Sequence, residues 1–142
     1  MRIMAIDYGD ARTGVAISDP SGFLTGFTTV VPSRKPEKAL EDLTRLVVEH
    51  KVEHLVVGLP KNMDGSEGPR AELCRGFASD LENATGLPVT LWDERRTTVE
   101  AHAILHTGGK RMKEHRKNVD AVAASLILEG YLTFLRSKQN SF

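Results

Sequence analysis

The stretch IMAIDYG, residues 3–9, decides how the chain folds. Four apolar residues run directly into Asp7, Tyr8 and Gly9, so a short buried strand ends in a carboxylate. Such a strand either turns a corner into solvent or holds a charge where chemistry uses it. Working outward, residues 2–7, 14–18 and 24–31 read as three strands, and Asp19-Pro20-Ser21-Gly22 has the composition of a tight turn joining the last two. An antiparallel meander therefore opens the fold. From Pro36 the period changes: Leu40, Leu43, Val47 and His50 fall at helical spacing behind a proline suited to a first turn, and HLVVGLP (54–60) reads as a buried strand. The unit repeats, with Leu73, Cys74, Phe77 and Leu81 marking one helix face, Gly86 and Pro88 ending it, and VTLWDE (89–94) as the fifth strand. Thr97 and Glu100 form a capping box for a helix through about 106. A glycine-basic loop follows, and a last helix runs from about Asn118 to Arg136. Right-handed crossovers then give an α/β fold: a five-stranded mixed sheet of order 3-2-1-4-5, flanked by helices, with strand 1 central.

At 142 residues the chain fits one domain, 1–142, and at this size burial reaches roughly 70% of the unfolded surface. The tail 137–142 is expected to fray. No apolar run approaches the roughly 20 residues of a membrane helix, no signal-peptide core opens the sequence, and the single Cys74 has no disulfide partner within the chain. A cytoplasmic protein without a membrane partner is expected, as a monomer or weak homodimer. Nineteen Lys and Arg balance nineteen Asp and Glu, so nucleic-acid binding, if present, resides in local patches and not in a global basic field.

Three acidic positions converge on one sheet edge. Asp7 ends strand 1, Asp93 and Glu94 end strand 5, and Asp120 opens the final helix. On a helical wheel Asp120 shares its side with Ile127, Tyr131 and Phe134, opposite Ser125, Glu129, Thr133 and Arg136, and so points toward the core. Ala121, Ala123 and Ala124 beside it let that helix end approach the sheet. Taken singly, each acid has an ordinary structural reading: a strand-end turn, an exposed pair opening a loop, a first-turn acid favoured by the helix dipole. Jointly they require three coincidences on one edge. Burying like charges costs several kcal/mol each unless a cation compensates. Oxygen-only donors favour Mg²⁺ or Mn²⁺ over Zn²⁺, and two ions roughly 4 Å apart clamp the attacking and leaving oxygens in phosphodiester hydrolysis.

Basic residues surround this edge: Arg12, Lys61, Arg95 and Arg96 follow strand ends, and Lys110, Arg111, Lys113, Arg116 and Lys117 precede Asp120. A flexible loop carrying them closes on a phosphate backbone without reading sequence, although a solvated charged loop has the same composition. Other signals are weaker. His102 and His106 stand four apart but lack the intervening Glu of a zincin, Cys74 lies on an apolar helix face, and neither GSEG (65–68) nor GGKR (108–111) completes a P-loop. The LPKNMDGSEGP segment, 59–69, is either a plain connection or a set of backbone N–H groups able to meet a phosphate.

Four blocks, AIDYGDARTGVAISD, VVGLPKNMDGSEG, LWDERRTTVEA and NVDAVAASLILEGYL, resemble in order and over nearly the whole chain the YqgF/RuvX-type family of pre-16S rRNA nucleases, also described as Holliday junction resolvase-like. The resemblance implies a ribonuclease H-like fold, a Mg²⁺- or Mn²⁺-dependent hydrolase of phosphodiester bonds, and a role in maturing the 5′ end of 16S rRNA. It places the catalytic, metal-holding acids at Asp7, Glu94 and Asp120, with Asp93 adjacent to share metal duty. The implied partners are pre-16S rRNA or branched DNA, and ribosomal or pre-ribosomal particles. The alternatives are a branched-DNA resolvase and a non-catalytic nucleic-acid or ribosome-assembly module. DYG also resembles the first phosphate loop of actin-like ATPases and sugar kinases, but those need two such domains.

Overall fold

The computed structural model describes the backbone of residues 1–96 and 109–139, with side chains at 1–95 and 119–138. The strands are β1 (Ile3–Asp7), β2 (Arg12–Ser18), β3 (Thr25–Pro32), β4 (His54–Leu59) and β5 (Val89–Asp93). The helices are α1 (Pro36–His50), α2 (Pro69–Thr85) and α3 (Gly109–Gln139), and a single 3₁₀ turn, Glu94–Arg96, follows β5. The sheet order is β3-β2-β1-β4-β5, with β1 antiparallel to β2 and parallel to β4, and β4 parallel to β5. This is the order expected from the crossovers. The turn at Asp19 also forms as read: its carboxylate accepts from the Phe23 N–H at 2.8 Å while Gly22 takes the left-handed conformation (φ 73°).

Period-2 alternation gives the sheet two faces and therefore two cores. Met4, Ile6, Val15, Ile17, Leu55, Val57 and Leu59 face α1 and α2, where Leu43, Phe77 and Leu81 complete the packing. Ile3, Ala5, Ala16, Val56 and Trp92 face α3, against Ala124, Ile127, Leu128, Tyr131 and Leu132. The central strand is thus covered on both sides, as its unbroken apolar run requires.

Two expectations are corrected. The basic segment from Gly109 is helical and forms the opening turns of α3, where a loop before Asn118 was expected. Lys, Arg, Met and Glu are good helix formers, and that propensity outweighs the glycine at its start. Leu73 is 54% exposed, and Ala71, Cys74, Phe77, Ala78 and Leu81 form the buried stripe of α2 instead. Consecutive residues are about 100° apart on a helix, so Leu73 and Cys74 cannot both occupy the centre of one face. The capping box at Thr97 and Glu100, the helix through 106, and His102 and His106 lie outside the described residues.

Candidate active site at the carboxyl edge of the sheet

Alternation along three strands sets the site. In β1, Ile3 and Ala5 face α3, so Asp7, two residues on, faces α3 as well. In β5, Trp92 faces α3 and Glu94, immediately beyond the strand, continues on that side. Asp93 has the opposite parity, and its carboxylate is taken by Arg95: Nε lies 3.0 Å from Oδ2, the terminal nitrogen 2.7 Å from Oδ2, and the Arg95 N–H donates to Oδ1 at 3.0 Å. That guanidinium holds Asp93 below its ordinary value. Asp93 is thus engaged by Arg95, while its charge still adds to the rise at Glu94.

Asp7 and Glu94 are hydrogen-bonded to each other through their side chains. Burial pushes the Glu94 carboxyl up to about 8, and the adjacent Asp7 charge adds to the rise. Asp7 is raised by the same burial and by Asp120. Two carboxyls in contact share one proton because both cannot ionise without compensation. Asp120 sits on the first turns of α3 that pack on the sheet, and its Oδ2 lies 3.5 Å from Arg12 Nε.

Two glycines make this approach possible. Gly14 in β2 pairs with Asp7 and faces α3; a Cβ there would run into the Asp120 carbonyl and stand 3.2 Å from the Ala121 nitrogen. The helix backbone at Asp120 thus rests on the sheet at the position next to Asp7. Gly58 in β4 is cross-strand from Trp92, and a Cβ there would overlap the Glu94 carboxylate and lie 2.7 Å from Ile127 Cδ1. The small alanines of α3 were the sequence signal for close packing, but the glycines on the sheet side decide it.

Arg70, at the second position of α2, reaches the turn beside the acids, a contact that sequence reasoning missed. It donates to the Tyr8 carbonyl and, at 2.6 Å, to Asp10, and its guanidinium lies 5.3 Å from the centre of the Tyr8 ring. Its charge favours the ionised forms of both Asp7 and Glu94. Tyr8 in turn stacks on Phe77 with ring centres 3.9 Å apart. The turn after β1 is further fixed by Ser33, which donates to the Gly9 carbonyl through Oγ and to the Ala11 carbonyl through N–H. No local periodicity reveals these contacts, since Arg70 lies 60 residues from Asp10.

Among the predicted backbone-binding cations, Arg12 is well exposed beside Asp120, Lys61 is half-buried near Asp93 and Glu67, and Arg95 is engaged by Asp93. The side chains of Arg96, Lys110, Arg111, Lys113, Arg116 and Lys117 lie outside the described ones. Cys74 is buried with its thiol pushed up to about 11 by burial, which makes it a core residue and not a nucleophile. Among the described residues no three His, Cys, Asp or Glu side chains form a cluster able to hold a metal ion as they stand. The Asp7–Glu94 pair nevertheless fits a hard divalent cation chemically: its donors are oxygen only, and a cation relieves the repulsion that the shared proton now relieves.

A mixed sheet with this strand order and helices on both faces defines a ribonuclease H-like fold, here with paired carboxyls on the edge beyond β1 and β5. Two solved structures share the fold. RuvC from Thermus thermophilus aligns with a TM-score of 0.61 at 12% identity, covering 98% of this chain and 97% of that one. The fowlpox virus Holliday junction resolvase aligns at 0.59 and 15% identity, covering 96% and 99%. The family RuvX, described as Holliday junction resolvase, matches residues 1–134, and the chain belongs to it. A relative from Halothermothrix orenii, named "Putative pre-16S rRNA nuclease", is 47% identical over 134 residues, covering 94% of this chain and 96% of its own. One of the same name from Pelotomaculum thermopropionicum is 46% identical over 133 residues, covering 93% and 86%. Among the described residues no helix is long and apolar enough to cross a membrane.

Proposed function

We propose that this chain is a divalent-cation-dependent nuclease, with Mg²⁺ or Mn²⁺ as the ion, that hydrolyses phosphodiester bonds in maturing the 5′ end of pre-16S rRNA. The observation that carries the reading is the buried Asp7–Glu94 carboxyl pair beside Asp120, in a chain whose relatives bear the name of that activity. One ribonuclease H-like domain spans 1–142 in this proposal, and the catalytic, metal-holding residues are Asp7, Glu94 and Asp120. A divalent cation held there supplies positive charge against the developing phosphoryl charge and acidifies water.

The remaining work falls to the chain's own groups. Asp7 and Glu94 would hold the cation through their carboxylate oxygens, and the gap at Gly58 leaves room for the Glu94 carboxylate. Arg70 holds the turn after β1, and with it Asp7, through the Tyr8 carbonyl and Asp10. Arg12 and Lys61 attract the phosphate backbone, so binding weakens with salt and reads no sequence. Arg95 acts chiefly on its own loop through Asp93.

Purified protein is incubated with an end-labelled 16S precursor fragment and with a four-way DNA junction, in Mg²⁺, Mn²⁺ or EDTA. Cleavage of the precursor that needs the cation and is lost in Asp7→Asn is expected. Wild-type silence on every substrate in both metals refutes the proposal. The family description favours branched DNA as the second reading, and faster cleavage of the junction than of the precursor would select it.

A further inference from the structure

Asp120 is paired with a single cation, and strand parity puts that cation there. Arg12 and Gly14 are alternate residues of β2, so both side-chain directions lie on the same face of the sheet. Gly14 carries the main chain of Asp120, and the Arg12 guanidinium reaches the Asp120 carboxylate, Nε to Oδ2 at 3.5 Å. Among the described residues this is the only ion pair that either group makes. The base of the arginine arm is fixed. The Gly9 N–H donates to the Thr13 hydroxyl at 3.3 Å, the Ser33 N–H donates to the Ala11 carbonyl at 3.0 Å, and Arg12 itself pairs with Pro32 in β3. Its far end is not fixed, since the Arg12 side chain is 63% exposed. Arg70, whose charge acts on Asp7 and Glu94, is by contrast held in place by the Tyr8 carbonyl and Asp10.

The edge therefore has one stationary cation and one that can leave. A solvent-screened arginine–carboxylate pair shifts an equilibrium by only a few-fold. A divalent cation taken up by oxygen donors at this edge carries twice the charge of the guanidinium and repels it, and the two compete for the same carboxylate. Arg12 is the partner free to move away. Its planar fork matches a phosphate as well as a carboxylate, and its anchored base keeps it on the edge where a nucleic-acid backbone would lie. While Arg12 sits on Asp120, gripping a phosphate first requires breaking that pair. Once the pair is gone, that requirement is gone too.

We propose that Arg12 is an exchangeable counter-ion: it neutralises Asp120 in the cation-free protein, yields that carboxylate to a divalent cation, and turns to a phosphate of the nucleic-acid backbone. The proposal rests on the nuclease reading above. Cation and backbone then bind cooperatively, each raising the affinity of the other by the same factor. The test uses the full ¹⁵N-labelled chain, Mg²⁺ alone, and an uninterrupted DNA duplex as a bare backbone probe. In nuclear magnetic resonance the Arg12 Nε–H signal is expected to move on adding Mg²⁺ toward the position it holds in Asp120→Asn without Mg²⁺. Arg12→Gln should bind Mg²⁺ about threefold more tightly than wild type, as loss of a screened competing pair allows. Lys61→Gln, which removes one charge from the same edge without touching Asp120, should change Mg²⁺ affinity much less. For the duplex, the slope of log affinity against log salt should be steeper in wild type than in Arg12→Gln by about one in Mg²⁺, the worth of one phosphate contact. In EDTA the two slopes should coincide. An Arg12 signal unmoved at saturating Mg²⁺ overturns the proposal, as does equal tightening by Arg12→Gln and Lys61→Gln, or the same slope difference in EDTA and in Mg²⁺. If cation-dependent cleavage persists beside any of these results, the exchange falls and the nuclease reading stands. If Mg²⁺ moves no signal of the wild type and supports no cleavage, both fall.

Discussion

Replacing Glu94 by Gln should stabilise the cation-free protein, and by an amount that grows with pH. Burial and Asp7 push the Glu94 carboxyl up to about 8, against an ordinary value of 4.5. For a carboxyl raised on folding, the folded and unfolded chains bind the proton equally below pH 4.5. Stability is then lost as pH rises from there toward 8, because the unfolded chain ionises freely and the folded one does not. Each pH unit in that window costs about 1.4 kcal/mol, so the ceiling is below about 1 kcal/mol at pH 5 and about 4 kcal/mol at pH 7.5. Water reaches part of the pair, and we expect about half of that ceiling, ~2 kcal/mol at pH 7.5. Gln still donates a hydrogen bond to Asp7, so removal of the acid does not orphan its partner. At roughly 3 °C per kcal/mol for a chain of this size, Glu94→Gln in EDTA should melt about 6 °C higher than wild type at pH 7.5 and about 1 °C higher at pH 5. Adding Mn²⁺ at pH 7.5 should raise the wild-type melting temperature and leave the variant nearly unmoved, since a cation stabilises only what binds it. The assay is thermal unfolding followed by far-ultraviolet circular dichroism at both pH values. A lower melting temperature for the variant at pH 7.5 in EDTA, or the same difference at both pH values, would refute the reasoning.

The two glycines predict different penalties. Gly14→Ala meets helix backbone at Asp120, which cannot rotate away, so it should cost about 2–3 kcal/mol in denaturant titration and, by shifting Asp120, lower cleavage on the order of 100-fold. Gly58→Ala meets side-chain atoms of Glu94 and Ile127, so it should cost only about 1 kcal/mol while still reducing cleavage by displacing the Glu94 carboxylate. Asp93→Asn loses an ion pair in contact with solvent. It should destabilise by less than about 1 kcal/mol and leave cation-dependent cleavage within about tenfold of wild type, as Asp7→Asn should not.

The strand order was legible because the apolar runs, turn residues and crossover handedness leave few arrangements. The meeting of Asp7 with Glu94, and the nearness of Asp120's charge to Asp7, lie on the edge that the same crossover argument and one helical wheel single out. Strand parity also separates Asp93 from Glu94, since Trp92 fixes which neighbour faces α3, and that signal was present in the sequence. The parts not legible depend on contacts distant in sequence. Arg70 looks like one more helix cation until α2 brings it over the turn after β1. Gly14 and Gly58 look like ordinary strand glycines until the helix arrives against them. The opening of α3 was misread because Gly108 and Gly109 beside a run of charge have loop composition, while the residues that follow favour helix.

The contact at Gly14 has a consequence for how the acids are spaced. Asp7 belongs to the strand paired with Gly14, and Asp120 belongs to the helix turn whose main chain lies on that glycine. The separation of the two carboxylates is therefore metered by main chain against main chain, and the apolar side chains between helix and sheet act as a spring behind a hard stop. Trimming Ile127 or Leu128 would loosen the clamp and lower stability, yet the stop would hold the acids at the same gauge. Stability and spacing are thus adjustable separately in this fold, and a core able to drift in sequence need not retune its site.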